Sequence, residues 1–409
     1  MINPLRGMKD LTFDDSQRFV HIVTTAIGIA KKYGYGYIET PILEETALFK
    51  RSVGDSSDIV SKEMYQFEDK GGNDVCMRPE GTAGVVRSFV HAKLDRQPMK
   101  QKFYYYGPMF RYERPQKGRL REFHQFGCES FGEGSVYEDF TIITMISQIF
   151  DELGISFDLQ INSLGCITCM PPYKQNLVGF LRETQEELCE DCNRRIDSNP
   201  IRVLDCKNTA CQTVLFNSPK LITNLCGDCD SDFDKLTVLL DKAGIKYEVD
   251  TNLVRGLDYY NKTAFEFVSN DIGSQSAIAG GGRYDKLVEF LDGKPTPAVG
   301  FAIGIERIME LVKMPEVKRE GIYLGAMCEE AIESLFAIAT AKRKETKVTL
   351  EYSKKSFKSH MKGADKVLAR YVMLRGEDEL ANDTVWVKDL ETKEEKTLSL
   401  ESVLTQPVQ

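Results

Sequence analysis

Two aromatic-rich runs of equal length flank a loop crowded with arginine, and this pattern constrains the fold more than any other in the chain. Residues 102–111 read Lys-Phe-Tyr-Tyr-Tyr-Gly-Pro-Met-Phe-Arg, and residues 122–131 read Glu-Phe-His-Gln-Phe-Gly-Cys-Glu-Ser-Phe. Aromatic residues suit a pleated, half-buried surface, and Pro115 and Gly118 punctuate the segment between the runs. The pattern predicts one long antiparallel hairpin. Its loop carries Arg111, Arg114, Lys117, Arg119 and Arg121. Like charges at that density repel one another unless an anion sits among them, and arginine is the side chain suited to bidentate phosphate binding. Charge alone leaves a solvated hairpin tip as an equal alternative.

The 409 residues, 42% hydrophobic and 28% charged, suffice for two to three packed domains and exclude global disorder. No apolar run approaches the ~20 residues of a membrane span. The opening Met1-Ile-Asn-Pro-Leu-Arg-Gly has no apolar core of a secretory signal. A soluble, cytoplasmic chain with no membrane partner is expected. The net charge of −9 argues against a general nucleic-acid coat. Residues 342–375 nevertheless hold eleven Lys/Arg against three Asp/Glu, enough for a local phosphate-binding face or a solvated one.

Eight of the eleven cysteines fall between Cys166 and Cys229. They form the pairs Cys166/Cys169, Cys189/Cys192, Cys206/Cys211 and Cys226/Cys229. In a chain without a secretion signal such pairs suggest metal rather than disulfides. Cys-x2-Cys lets two thiolates reach one tetrahedral Zn²⁺, and two such knuckles close a structural site. Free thiols and redox pairs are the alternatives, and spacing does not say which pairs share an ion. Cys76, Cys128 and Cys328 are scattered and read as packing residues.

Asp14 and Asp15 suggest a helix start, followed by Phe19, Val20, Val23, Ile27 and Ala30 at helical spacing and Gly34 as its terminator. Residues 35–41 read as a short strand, 137–153 as a helix, and the cysteine-rich stretch as a helical insertion. Strands are expected at 245–249, 263–268 and 297–304, helices from Tyr284 and over 305–312. Residues 315–319 look like a linker. Beyond it, strands at 321–327, 347–352, 371–375 and 384–387 alternate with helices at 329–345 and 357–370. That alternation predicts a small α/β domain with a mostly parallel sheet, its end frayed from Thr405. No Gly-x4-Gly-Lys-Ser/Thr and no His-Glu-x-x-His occurs, and there are four histidines in all. Gly280-Gly-Gly282 is not a dinucleotide fingerprint, and on its own reads as a tight turn.

Taken together, six segments resemble histidyl-tRNA synthetase, a class II aminoacyl-tRNA synthetase family. Phe110-Arg-Tyr-Glu-Arg-Pro-Gln-Lys-Gly-Arg-Leu-Arg-Glu-Phe-His-Gln-Phe-Gly-Cys-Glu129 is similar to class II motif 2. Residues 35–41 with the preceding helix resemble motif 1, and Ala298-Val-Gly-Phe-Ala-Ile-Gly-Ile-Glu-Arg307 resembles motif 3. Leu253-Val-Arg-Gly-Leu-Asp-Tyr-Tyr260 and Ala279-Gly-Gly-Gly-Arg-Tyr-Asp285 are similar to the two histidine-specific segments, and Arg78-Pro-Glu-Gly-Thr82 to the amino-acid pocket signature.

The resemblance implies an α+β fold. A class II catalytic domain, an antiparallel sheet flanked by helices, would span 1–320 with the helical Cys-rich insertion at about 166–235. A small α/β anticodon-binding domain would span 321–409. It implies a homodimer, with motif 1 at the interface, that uses L-histidine, ATP with Mg²⁺, and tRNA(His). Histidine would be activated to histidyl-adenylate with release of pyrophosphate, then transferred to the tRNA 3′ end. By motif match, Arg255 and Arg111 are the catalytic arginines at the α-phosphate, with Arg119 and Arg307 at the β/γ end. Glu113 and Phe123 match the residues that fix and stack on adenine. Glu80, Gly81, Thr82 and Gln125 match the ammonium site, Glu129 and Tyr260 the imidazole site, and Tyr259 its lining. Arg114 and Gln116 are candidates for the tRNA acceptor end. His124 is expected to be structural or RNA-facing, because an ionised carboxylate nucleophile needs no base. The alternative within the fold is a non-catalytic paralogue regulating ATP phosphoribosyltransferase. That paralogue usually lacks a C-terminal domain and intact ATP motifs. A zinc-dependent RNA-binding protein would leave these motifs unexplained.

Overall fold

In the computed structural model the long hairpin forms as its two aromatic runs dictate. Strands Gln101–Phe110 and Glu122–Phe131 pair antiparallel from Gln101↔Phe131 to Phe110↔Glu122. The structure describes residues 2–54, 57–204, 206, 208–272, 277–316 and 318–407. Position 317 of the expected linker and 408–409 of the expected frayed end lie outside these.

The chain divides into two compact units, Met1–Met314 and Pro315–Gln409. In the first, the hairpin occupies one half of an eight-stranded sheet. The spatial order is Gly36–Tyr37, Gln101–Phe110, Glu122–Phe131, Ala298–Gly304, Ala277–Arg283, Asn261–Val268, Asp158–Ser163 and Glu248–Val249. The pairings at the two ends are parallel and the five between them antiparallel.

Strand periodicity sorts the side chains of this sheet. Phe126, Cys128, Val299, Phe301 and Ile303 face a core built with the helices Phe13–Lys32, Val136–Glu152 and Gly227–Ala243. Phe123, Gln125, Gly127 and Glu129 alternate with them and so stand on the opposite face. The first helix buries Ile22, Val23, Ala26, Ile29 and Ala30, while Val20 of the expected stripe is exposed. Asp14 and Asp15 lie in its first turn rather than capping it; Thr12 is the cap residue. Gly34 follows the last turn at φ +82°, where a side chain would be strained.

The glycine triplet corrects an expectation. Gly280-Gly-Gly282 is no turn but the middle of strand Ala277–Arg283, and the helix after it is only Leu287–Phe290. Strand Asp158–Ser163 and the small sheet of Leu43–Glu45, Asp74–Met77 and Tyr65–Glu68 are elements that periodicity did not flag.

At the end of that glycine strand, Arg283 is 1% exposed. Its Nε donates to Asp139 Oδ1 and Oδ2 at 3.2 and 2.9 Å, and its two Nη groups donate to Glu133 O and Ser135 O at 2.9 and 2.8 Å. The sheet is thereby pinned to the start of helix Val136–Glu152. Burial pushes the Asp139 carboxyl above its usual range, and Arg283 opposes that. Arg283→Ala leaves this carboxylate unpaired inside the protein, so we expect a loss of about 3–5 kcal/mol in urea unfolding. The double variant Arg283→Met/Asp139→Leu should recover most of it. A loss below about 1 kcal/mol for the single variant would dismiss the pin.

In the second unit the sheet order is Val348–Leu350, Ile322–Ala326, Tyr371–Arg375, Thr384–Asp389 and Glu395–Ser399. Two pairings are parallel and two antiparallel. The expectation of a mostly parallel sheet is thus corrected, because the last strand, exposed and charged, returns beside Thr384–Asp389. Helix Leu400–Thr405 is followed by Gln406, whose carbonyl accepts from Lys342 Nζ, so the chain is still held one residue past Thr405. Lys342 and Arg375, the ends of the basic stretch, are buried, so that part of the expected cationic face serves packing. Among the described residues no helix is long and apolar enough to cross a membrane.

Candidate active site

The sheet face opposite the helical core holds a cavity of about 200 Å³. Register explains why space exists there. Tyr105, Gly127, Ala302, Gly280 and Glu266 form one rung across five adjacent strands. Bulky ends thus bracket a trough of residues with little or no side chain. A Cβ on Gly280 would lie 2.4 Å from Arg255 Nη2, and one on Gly300 would lie 1.7 Å from Glu129 Oε2. Both positions need glycine for the close approach of Arg255 and Glu129.

Arginines dominate one part of the lining. Arg111, Arg119, Arg255 and Arg307 all border the cavity, as do Glu113 and Phe123. Arg111 Nε donates to Pro79 O at 2.9 Å, and its guanidinium carbon lies 5.3 Å from the centre of the Phe123 ring. Arg119 Nε lies 2.9 Å from Glu113 Oε2. Arg255 Nη1 donates to Glu266 Oε1 at 2.7 Å. Burial, followed by the charges of Arg119 and Arg111, holds Arg307 below the ordinary arginine pKa. Cations desolvated and crowded together in this way favour a bound anion.

One carboxylate, one amide and three hydroxyls line the other part. Glu80, Thr82, Gln125, Tyr259 and Tyr260 border it. Glu80 accepts from the backbone N–H of Thr82 (2.7 Å) and of Ala83 (2.9 Å) at the start of helix Thr82–His91. Burial raises its pKa against those bonds. Among the described residues Gln125 Oε1, Arg255 Nε and Tyr259 OH are buried without a hydrogen-bond partner. Each such atom costs about 1–3 kcal/mol, which a polar ligand would recover.

Glu129 lies behind this wall, fully buried. It accepts from Thr82 Oγ1 at 2.7 Å, Tyr105 OH at 3.2 Å and Tyr284 OH. Burial pushes its carboxyl up to about 8, the three hydroxyls pulling the other way. Gly81 also lies off the cavity: a Cβ there would meet the Tyr105 ring at 2.1 Å. Arg114 and Gln116 are exposed near the hairpin tip, where Gln116 and Arg119 exchange backbone hydrogen bonds around Lys117-Gly118. His124 faces away, its backbone N–H and Nδ1 held by Glu306 at 2.8 and 2.7 Å and its ring against Phe19.

Sequence reading passed over Glu266, Tyr105, Tyr284 and Glu306. Tyr105 and Glu266 could have been found from strand alternation, since each falls on the face of the motif residues once register is known. Insertion residues also reach this region. Asn199 Nδ2 and Arg202 Nη2 donate to Asp258 Oδ1 at 3.1 and 3.2 Å, fixing the loop that carries Arg255.

The eight paired cysteines gather in two groups, and none of them borders the cavity. Cys166, Cys169, Cys226 and Cys229 form one, and Cys189, Cys192, Cys206 and Cys211 the other; within each, all sulfurs lie within 4.8 Å of one another. The isolated Cys76, Cys128 and Cys328 are buried.

A family model described as Histidyl-tRNA synthetase matches residues 7–169 and 219–308, and one described as Anticodon binding domain matches 325–406. The histidine–tRNA ligase of Sulfurovum sp. (strain NBC37-1) is 81% identical over 403 residues, spanning 98% of this chain and 100% of that one. That of Sulfurimonas denitrificans is 63% identical, spanning 97% and 99%. Among solved structures, apo S. aureus histidyl-tRNA synthetase superposes with a TM-score of 0.83 at 31% identity, over 99% of each chain. The segments quoted from the sequence, the antiparallel sheet that carries them and these matches agree: the chain belongs to the histidyl-tRNA synthetase family.

Proposed function

We infer that this chain is a histidine–tRNA ligase, working on L-histidine, ATP with Mg²⁺ and tRNA(His). The observation that carries the reading is one cavity bordered by four arginines in one part and by the buried Glu80 carboxylate, an amide and hydroxyls in the other. An oxygen of the histidine carboxylate attacks the α-phosphorus of ATP, the bond to the bridging oxygen breaks, and pyrophosphate leaves. In the second step the terminal ribose hydroxyl of the tRNA attacks the histidyl carbonyl carbon and AMP leaves. Negative charge grows on the phosphoryl oxygens during activation, and cations fixed beforehand lower that barrier.

In this reading Arg111 and Arg255 meet the α-phosphate, while Arg119 and Arg307 hold the β/γ end. Glu113 and Phe123 receive the adenine. The ammonium group goes to Glu80, Thr82 and Gln125, beside Gly81, and donates to the Gln125 Oε1 that otherwise has no partner. Glu129 and Tyr260 hold the imidazole, with Tyr259 lining it. Such a pocket leaves buried groups unpaired when a wrong side chain enters, and can discriminate by ~10⁴-fold. Arg114 and Gln116, exposed at the hairpin tip, would meet the acceptor end of the RNA. A structural Zn²⁺ in the cysteine-rich insertion belongs to the same reading.

The homodimer is proposed through the motif 1 side, where Tyr37, Ile42 and Leu43 leave 48%, 41% and 49% of their surface exposed. A cytoplasmic setting is consistent with this chemistry. No observation favours the regulatory paralogue: the ATP-side arginines border the cavity and a second unit follows.

The test is amino-acid-dependent ATP–pyrophosphate exchange with all twenty amino acids. Exchange with histidine alone is expected. Exchange with another amino acid would discard the pocket assignment, and none from a folded protein would move the weight to the paralogue.

A further inference from the structure

The cysteine-rich insertion is short of ordinary means of stability. Its core is a small cluster in which Leu177, Leu181, Ile196 and Val203 pack around four of the cysteines themselves. Units with so little core rarely hold a fold without a metal or a cross-link. None of the eight cysteines is in a disulfide.

The sulfur geometry supplies the missing element. With Zn–S bonds of ≈ 2.3 Å, a tetrahedral four-sulfur site has S···S edges of about 3.8 Å. Cys166 Sγ lies 3.7 Å from both Cys169 Sγ and Cys226 Sγ, and Cys189 Sγ lies 3.9 Å from Cys206 Sγ. Two further features of the geometry suit the sulfurs to a ligand set. Cys169, Cys189 and Cys226 are the cap residues at the N-termini of helices Met170–Glu183, Glu190–Ser198 and Gly227–Ala243, where the helix dipole stabilises negative charge. Backbone N–H groups also point at sulfur: Cys226 N donates to Cys169 Sγ and Cys189 N to Cys211 Sγ, both at 3.1 Å. The same contact thus recurs in both groups. Such outer hydrogen bonds hold ligands in place around a metal.

We propose that the insertion binds two Zn²⁺ ions in nested four-cysteine sites. Cys166, Cys169, Cys226 and Cys229 hold the outer ion, and Cys189, Cys192, Cys206 and Cys211 hold the inner one. The outer site staples the two ends of the insertion, just after strand Asp158–Ser163 and at the start of helix Gly227–Ala243, and the inner site organises the chain between them. The proposal rests on the structural-zinc part of the reading above, not on the ligase part, and it fixes ion number and ligand partition. Four soft thiolates in tetrahedral array suit zinc or iron.

The test uses the full chain, purified without chelator and read by elemental analysis and by ¹¹³Cd NMR after exchange. Two zinc ions per chain and two cadmium resonances, each of a four-sulfur site, are expected. Cys192→Ser and Cys229→Ser should each reduce the count to one and remove a different resonance. Should either variant fail to fold, the wild-type count still decides. One metal or none per chain, iron in place of zinc, or eight thiols reacting at once with a disulfide reagent in the native protein would overturn the proposal. Because none of these readouts needs activity, a failed exchange assay and a failed metal count remain distinct results.

Discussion

Replacing Arg255 by alanine should slow histidine-dependent ATP–pyrophosphate exchange by about 10²- to 10³-fold at saturating substrates, the scale of losing one preorganised donor to a developing anion. The guanidinium is held ready by Glu266 at 2.7 Å, over a glycine that leaves it room, with its buried Nε still unpaired. An interaction made mainly in the transition state appears in kcat, so the KM for histidine should change little. Lysine at this position keeps the charge but not the fork, and should fall between. A loss below tenfold, or one confined to the KM for ATP, would remove Arg255 from the α-phosphate.

Glu129→Ala should act on the other substrate. A hydrogen bond to a charged group is worth about 1.5–3 kcal/mol, so the KM for histidine should rise by about 10²-fold while that for ATP stays within a few-fold. Equal losses for both would count against the imidazole assignment. The same side chain has a pH signature in the ligand-free protein. Burial raises its pKa from 4.5 to about 8, so between those values the folded state holds a proton that the unfolded state has released. Its contribution to stability is full below about pH 4.5 and is lost as pH rises through about 8. Glu129→Gln, which stays neutral, should therefore flatten the decline in urea midpoint between pH 5.5 and 8.5. Identical slopes in the two proteins would show that Glu129 does not carry the linkage.

Local chemistry is what the sequence made legible. The hairpin was readable because its two aromatic runs and its Pro/Gly loop all favour one structure, and the resemblance rested on contiguous motifs. Those motifs put Arg111, Glu113, Arg119 and Phe123 within one hairpin, and the structure brings all four to the cavity. Long-range assembly was not readable. Three hydroxyls converge on Glu129 from Thr82, Tyr105 and Tyr284, up to 155 positions away, and no local pattern announces that. The cysteine pairs looked alike in one dimension, and only the folded chain separates them into two groups. Gly280-Gly-Gly282 was misread because glycine clusters usually mark turns; here backbone freedom matters less than the missing Cβ. The edge strand Glu395–Ser399 carries charge and little burial, as edges that resist aggregation do, and so lacked a strand's usual signal.

Those absent Cβ atoms change how sequence variants of this protein should be interpreted. Gly127, Gly280 and Gly300 sit on three adjacent central strands, and each leaves room for Tyr105, Arg255 or Glu129. A methyl group at Gly300 alters no charge, donor or acceptor, yet it overlaps the Glu129 carboxylate. A residue with nothing to offer a substrate is then as decisive as the carboxylate beside it. Damage scored by lost functional groups would pass such a change as harmless, when it displaces one of the site's most deeply buried acids.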